Sequence, residues 1–320
     1  DGATVKWFKV MPGNVTGKEA GIAVYASNVT VDGNIVCNMT GDGNGTIKGI
    51  FAYSGSNLIK NIKIMNNYVF NINNKENDTG SYSGADGIMI QGNITNVTIN
   101  NNTIEDIHSA GWAYGIEITP TGSAPSNPPQ NVVITENTVE KVNDGSVYNV
   151  AADPYSAPYP GVCFIIDVYG STPADASQVV AHYNNFVNPV GAYNKDTSYN
   201  LDATLNYWGA PSGPNATANP DGQGGIVGDN VDFIPWLDDA YPDGDAISYW
   251  NETQLNANEE KEVNETKHAD TIVVINSTTD NNITIENCSG NPESDNGIIG
   301  ITTIGKFINI IVDNEGNINW

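Results

Sequence analysis

A nine-position pattern recurs through the first two thirds of the chain: an amide residue, then apolar, any, apolar, any, any, Asn, any, apolar. Copies begin at Asn28, Asn61, Asn96 and Asn131, and they place Asn34, Asn67, Asn102 and Asn137 at the seventh position. Two looser copies begin at Gln178 and Asn200, carrying Asn184 and Asn206 at the same step. Upstream of five copies stands a glycine-led segment: Gly21-Ile22-Ala23-Val24, Gly49-Ile50-Phe51-Ala52, Gly87-Ile88-Met89-Ile90, Gly115-Ile116-Glu117-Ile118 and Gly161-Val162-Cys163-Phe164. Short alternations of period two, broken by Asn and Gly, are a strand signal. A unit this small cannot bury its apolar face alone, so the units must stack, strand over strand.

This predicts an all-β chain with a parallel β-helix over residues 20–237. Val29, Val31, Ile62, Ile64, Val97, Ile99, Val132 and Ile134 are expected to point inward. The seventh-position asparagines are expected to tolerate left-handed turns and to form a hydrogen-bonded amide ladder along the stack. The copies start 33, 35, 35, 47 and 22 residues apart, so the surplus falls in loops, the longest at 119–130 and 144–160. Residues 1–19 read as a strand or cap outside the repeat, 238–269 as an acidic linker, and 270–320 as a small C-terminal β-sandwich. The sandwich strands are expected at 271–275, 283–286, 298–301, 307–312 and 318–320.

The repeats resemble the right-handed parallel β-helix family of carbohydrate-binding and sugar-hydrolase proteins found on archaeal and bacterial surfaces. The closing run from Asn200 to Gly209, with Pro211-Ser212-Gly213-Pro214 and the Val231 to Leu237 segment, is similar to archaeal members. The stretches from Ile304 to Ile310 and from Asn317 to Trp320 resemble C-terminal modules of methanogen cell-surface proteins. The resemblance implies a right-handed coil and a cell-surface or extracellular location.

Charge narrows the partners. Acidic residues number 37 and basic residues 12, every one a lysine, for a net charge of -25. Without arginine and with this balance, nucleic acid is excluded as a partner and anionic membrane surfaces are disfavoured. No apolar stretch is long enough for a membrane span. Asp1 is read as a processed N-terminus, consistent with secretion.

Asn-x-Ser/Thr sequons favour N-glycans at Asn14, Asn44, Asn77, Asn93, Asn215, Asn251, Asn264 and Asn276. Strand positions such as Asn28 and Asn96 are less favoured. Cys37, Cys163 and Cys288 are an odd count, so they are disulfide candidates of which at least one is expected to join two subunits.

Two functional readings remain. One is a self-assembling sheath or surface-layer subunit without enzyme activity, whose partners are copies of itself. The other is a carbohydrate-binding or carbohydrate-processing β-helix protein, with surface polysaccharide as partner. A glycosidase needs two carboxylates roughly 5–10 Å apart. The nearest candidates, Asp86, Glu117 and Asp167, make no evident pair in the sequence, so no catalytic residue is assigned and these three stand as runners-up. An outward column of Ala23, Phe51, Met89, Glu117 and Cys163 is expected along the glycine-led strands, and Phe51 and Met89 favour a protein contact. At the ends, Val5, Trp7, Phe8 and Trp320 are candidates for assembly, either as a cap or by strand donation to a neighbour's C-terminal unit. No cofactor is called for beyond calcium, for which Asp313 and Glu315 offer clustered oxygens.

Overall fold

The computed structural model describes residues 2–74, 83–109, 111–121, 127–143, 161–169, 172–248, 273–275, 281–286, 301–303 and 308–313. The chain divides into two compact units, Asp1–Ala246 and Ile247–Trp320. Among the described residues it is all-β, with one short 3-10 turn at Ala176–Gln178 and no α-helix.

The first unit is dominated by a large, curled parallel sheet of fourteen strands and a second parallel sheet of seven. Two strands of the large sheet, Gly45–Met65 and Ser83–Asn100, are long enough to serve two bands of pairing. The repeat sets the register. In one band Val29 lies opposite Ile62, Ile62 opposite Val97, Val97 opposite Val132 and Val132 opposite Val179. In a second band Ile22, Ile50, Ile88, Ile116, Phe164 and Ala192 are successive partners. The seven-stranded sheet aligns Val36, Val69, Ile104, Val139 and Phe186. These three apolar ladders are buried, as are all eight residues expected to face inward. Each Val or Ile so buried contributes roughly 1.5–3 kcal/mol, which is why the repeat and the register coincide.

The amide ladder is present and longer than its four clearest copies. Asn34, Asn67, Asn102, Asn137, Asn184 and Asn206 are linked by Nδ2 to Oδ1 bonds of 2.9–3.0 Å. Each of the first five also donates its own backbone N–H to the next Oδ1 at 2.8–3.0 Å. The left-handed position differs from expectation. It is the residue just before the ladder asparagine, at Asn66, Asn101, Glu136, Tyr183 and Leu205, with φ of 52° to 61°. That residue makes the corner, and the ladder asparagine fills the space inside it.

Residues 1–19 belong to the stack and are not outside the repeat. Ala3–Lys6 pairs in parallel with Val29–Asp32, and Lys9–Val10 with Ile35 and Val36. Trp7 takes the left-handed corner at φ 61°. Phe8 stands in the ladder slot, donating its backbone N–H to Asn34 Oδ1 at 3.1 Å. The missing asparagine hid this copy in the sequence. It also removes the reason for strand donation, since this segment already pairs within its own chain.

The first residues of the expected acidic linker fold back instead. Asp238 donates to the Asp245 carbonyl at 3.0 Å, and Tyr241 donates to Asn185 Oδ1 at 2.7 Å. In the second unit Val273–Ile275 pairs in parallel with Ile301–Thr303, and Asn281–Glu286 with Ile308–Asp313. Strands fall near the expected places, but parallel pairing requires crossovers where a sandwich of hairpins would use turns.

Candidate functional site

The glycine-led strands place the chemistry. Gly21, Gly49, Gly87 and Gly115 stack in one column. A Cβ at Gly87 would meet Ile104 Cγ2 at 2.4 Å and the Gly115 carbonyl oxygen at 2.6 Å, so a side chain is excluded there by close approach to the second sheet. The residue before each glycine therefore turns to the opposite face. That position holds Lys48, Asp86, Tyr114 and Val162, each opposite the next. The position two after glycine holds Ala23, Phe51, Met89 and Glu117, continuing into Ile165 and Tyr193.

The expected column aligns through Glu117, but only Ala23 is exposed while Phe51, Met89 and Glu117 are buried, and the alignment fails at its end. Cys163 occupies the glycine slot, and its thiol donates to the Val139 carbonyl at 3.3 Å. The segment led by Gly161 is offset by two residues, since Gly161 lies opposite Ala113.

Three candidate carboxylates converge, which corrects the reading that they make no pair. Asp86 is 0 %, Glu117 4 % and Asp167 7 % exposed, and Lys48 is 5 % exposed. Lys48 Nζ donates to the Thr46 carbonyl at 2.6 Å and lies 4.9 Å from the centre of the Phe51 ring. Lys195 Nζ stands 3.5 Å from Asp167 Oδ1. Among the described residues neither Asp86 oxygen accepts from an N–H or O–H donor of the ordinary kind. Its hydrogen-bonding neighbour is the Glu117 carboxyl. Two carboxyl groups bond to each other only when one of them carries a proton.

Electrostatics agrees. Burial pushes Asp86 up from 3.8 to about 7, against the pull of the Lys48 charge and the Glu117 bond, with the Asp167 charge adding to the rise. Burial, then the Asp86 and Asp167 charges, hold Glu117 well above the usual carboxylate range. Burial lowers Lys48, opposed by the charges of Asp86 and Glu117. The group is a water-poor place where a proton is shared between two acids beside an amine whose charge burial disfavours.

Lys48 and Lys195 were not singled out from the sequence. Lys48 carried a signal, because Lys48-Gly49 aligns with Asp86-Gly87 in the glycine-led pattern. Lys195 lies between the copies that begin at Gln178 and Asn200, at no repeated step, and carried none.

Other sequence candidates scatter. Phe51 and Met89 are 9 % and 7 % exposed, so they offer no open contact. Trp7 and Phe8 are 77 % and 60 % exposed, whereas Val5 is half-buried in its own sheet. Cys37 and Cys163 are buried free thiols, which withdraws them as links between subunits. Asn14 and Asn44 are exposed, while Asn93 and Asn215 are half-buried. Asn28 and Asn96 sit in a surface amide chain with Asn61 and Asn131, and Asn96 Nδ2 is already engaged with Asn61 Oδ1 at 3.1 Å. Asn77, Asn251, Asn264, Asn276, Cys288, Glu315 and Trp320 lie outside the described residues, and Asp313 is described only as strand backbone. No cluster of His, Cys, Asp and Glu suited to a metal ion occurs among the described residues. None of their helices is long and apolar enough to cross a membrane.

None of the family models, curated proteins or solved structures compared with the chain matches it.

Proposed function

We propose that the chain is the body of a secreted archaeal surface protein, a right-handed parallel β-helix that serves as a rigid, acidic, N-glycosylated scaffold in a sheath or surface layer. The observation that carries this reading is the contrast between a continuous stack with a fully paired amide ladder and candidate carboxylates no more than 7 % exposed. A polysaccharide must touch its catalytic acids, and these are sealed from it. Exposed Trp7, Phe8 and Met11 supply apolar surface for packing against other copies. Negative-stain microscopy and intact-mass measurement of native material test the reading together. It expects regular sheets or tubes and mass in excess of the polypeptide at Asn14 or Asn44. Dispersed particles of bare polypeptide mass would contradict it.

A second reading, carbohydrate binding, is favoured by one feature. Tyr25, 63 % exposed, meets Phe51 and Tyr53 edge-on at ring separations of 6.5 and 6.3 Å. Such a cluster is a stacking platform for a sugar face. If that platform binds glycan, Tyr25→Ala abolishes retention on polysaccharide while leaving assembly intact.

A further inference from the structure

The buried lysine has a partner within reach. Lys48 and Asp86 lie directly opposite each other on adjacent parallel strands and on the same face. Adjacent strands are separated by about 4.8 Å, less than the length of an extended lysine side chain. Both residues are at most 5 % exposed, and among the described residues the Asp86 carboxyl has no bonding neighbour besides the Glu117 carboxyl. Beside them, opposite Asp86, Tyr114 joins Val162, Ile165 and Val190 in an apolar cluster covered by Trp112 and Tyr193. Rotation of the Lys48 side chain off the Thr46 carbonyl of its own strand brings Nζ toward the Asp86 carboxyl carbon.

We propose that Lys48 and Asp86 condense into an intramolecular isopeptide bond between neighbouring strands, with Glu117 as the proton carrier. The neutral amine attacks the Asp86 carboxyl carbon and forms the Nζ–Cγ bond. Glu117 takes a proton from the nitrogen and returns one to the departing hydroxyl. The Cγ–O bond breaks and one water leaves. No oxidant or further reactant is required. Burial moves each group toward its reactive form, lowering Lys48 and raising Asp86 and Glu117. An ionised pair would instead hold a charge-neutralising contact and no leaving group.

This linkage does not depend on the surface-layer reading and is tested apart from it. The full chain, expressed in a host that adds no glycans, should be lighter than its sequence by one water, and digestion should yield a branched peptide joining Lys48 to Asp86. Lys48→Met and Lys48→Arg should both restore the missing water. Glu117→Gln should slow linking by roughly a hundredfold or more, with unlinked but folded chain accumulating. Wild-type mass equal to the sequence would overturn the proposal. So would a water loss that survives both Lys48 substitutions, which would mark cyclisation at Asp86-Gly87, or one that maps to Lys195 and Asp167. Undiminished linking in Glu117→Gln would remove Glu117 from the mechanism.

Discussion

Two buried polar columns run along the same stack, and they are built on opposite principles. The asparagine ladder carries neutral amides whose donors and acceptors meet their neighbours at 2.9–3.0 Å from Asn34 to Asn206. The column before the glycines carries one amine, Lys48, and one carboxyl, Asp86, whose bonding neighbour is the Glu117 carboxyl of the adjacent column. A satisfied column costs little to bury and specifies register. An unsatisfied, ionisable one is costly to bury and persists where it has chemistry to perform.

The comparison breaks most readily at the ladder. Asn102→Ala strands the backbone N–H of Asn67 and one of its two Nδ2 hydrogens, the other still donating to the Val31 carbonyl. At roughly 1–3 kcal/mol for each stranded donor, the loss should be roughly 2–6 kcal/mol in urea unfolding. A loss within experimental error would mean that the ladder does not hold the stack.

Gly87→Ala comes next. Its Cβ would press on the Gly115 carbonyl and Ile104, and the crowding should cost about 1–3 kcal/mol in the same measurement.

The charged column gives a pH signature of intermediate size. In Lys48→Met the Asp86 carboxyl stays unlinked, facing Glu117 and Asp167, with Lys195 beside Asp167. Lys18 and Glu19, which act on Lys48 in the native chain, lose that partner. With Lys48 present, burial raises Asp86 from 3.8 to about 7 against the pull of the lysine charge, so without that charge the folded carboxyl should hold its proton at least as tightly. Between those values the folded state holds more protons, so stability falls as pH rises. The melting temperature of Lys48→Met should therefore decline across this window relative to wild type, where condensation consumes the carboxyl. Parallel profiles would place the Asp86 titration elsewhere.

The smallest effect is expected at the surface. Asn96→Ala removes two hydrogen bonds of the exposed amide chain, to Asn61 and from Asn131, and should change stability by about 0.5 kcal/mol or less.

The ladder was legible because one residue type recurs at one step of a repeat. The first copy escaped because Phe8 replaces the amide and Trp7 the corner residue. The charged group was half legible. Asp86 and Glu117 were recognised as candidates, but they occupy different steps around their glycines, and only stacking brings them together. Cys163 was misplaced because its segment carries a glycine two positions early. In the second unit, alternation located strands near 273–275, 281–286, 301–303 and 308–313, yet period two says nothing about which strand pairs with which. The parallel pairing was therefore not accessible from the pattern.

Carbodiimide-driven amine labelling of the folded chain, read by peptide mapping, tests the sealed cluster most directly. Asp42, Asp221 and Asp243 are exposed and serve as internal controls. They should label readily at neutral pH, while Asp86, Glu117 and Asp167 remain unlabelled until the chain is unfolded or, for Asp86, remain blocked by its link to Lys48. Labelling of Asp86 and Glu117 in the folded chain at the rate of the controls would contradict the account and return these carboxyls to candidacy as an open catalytic pair.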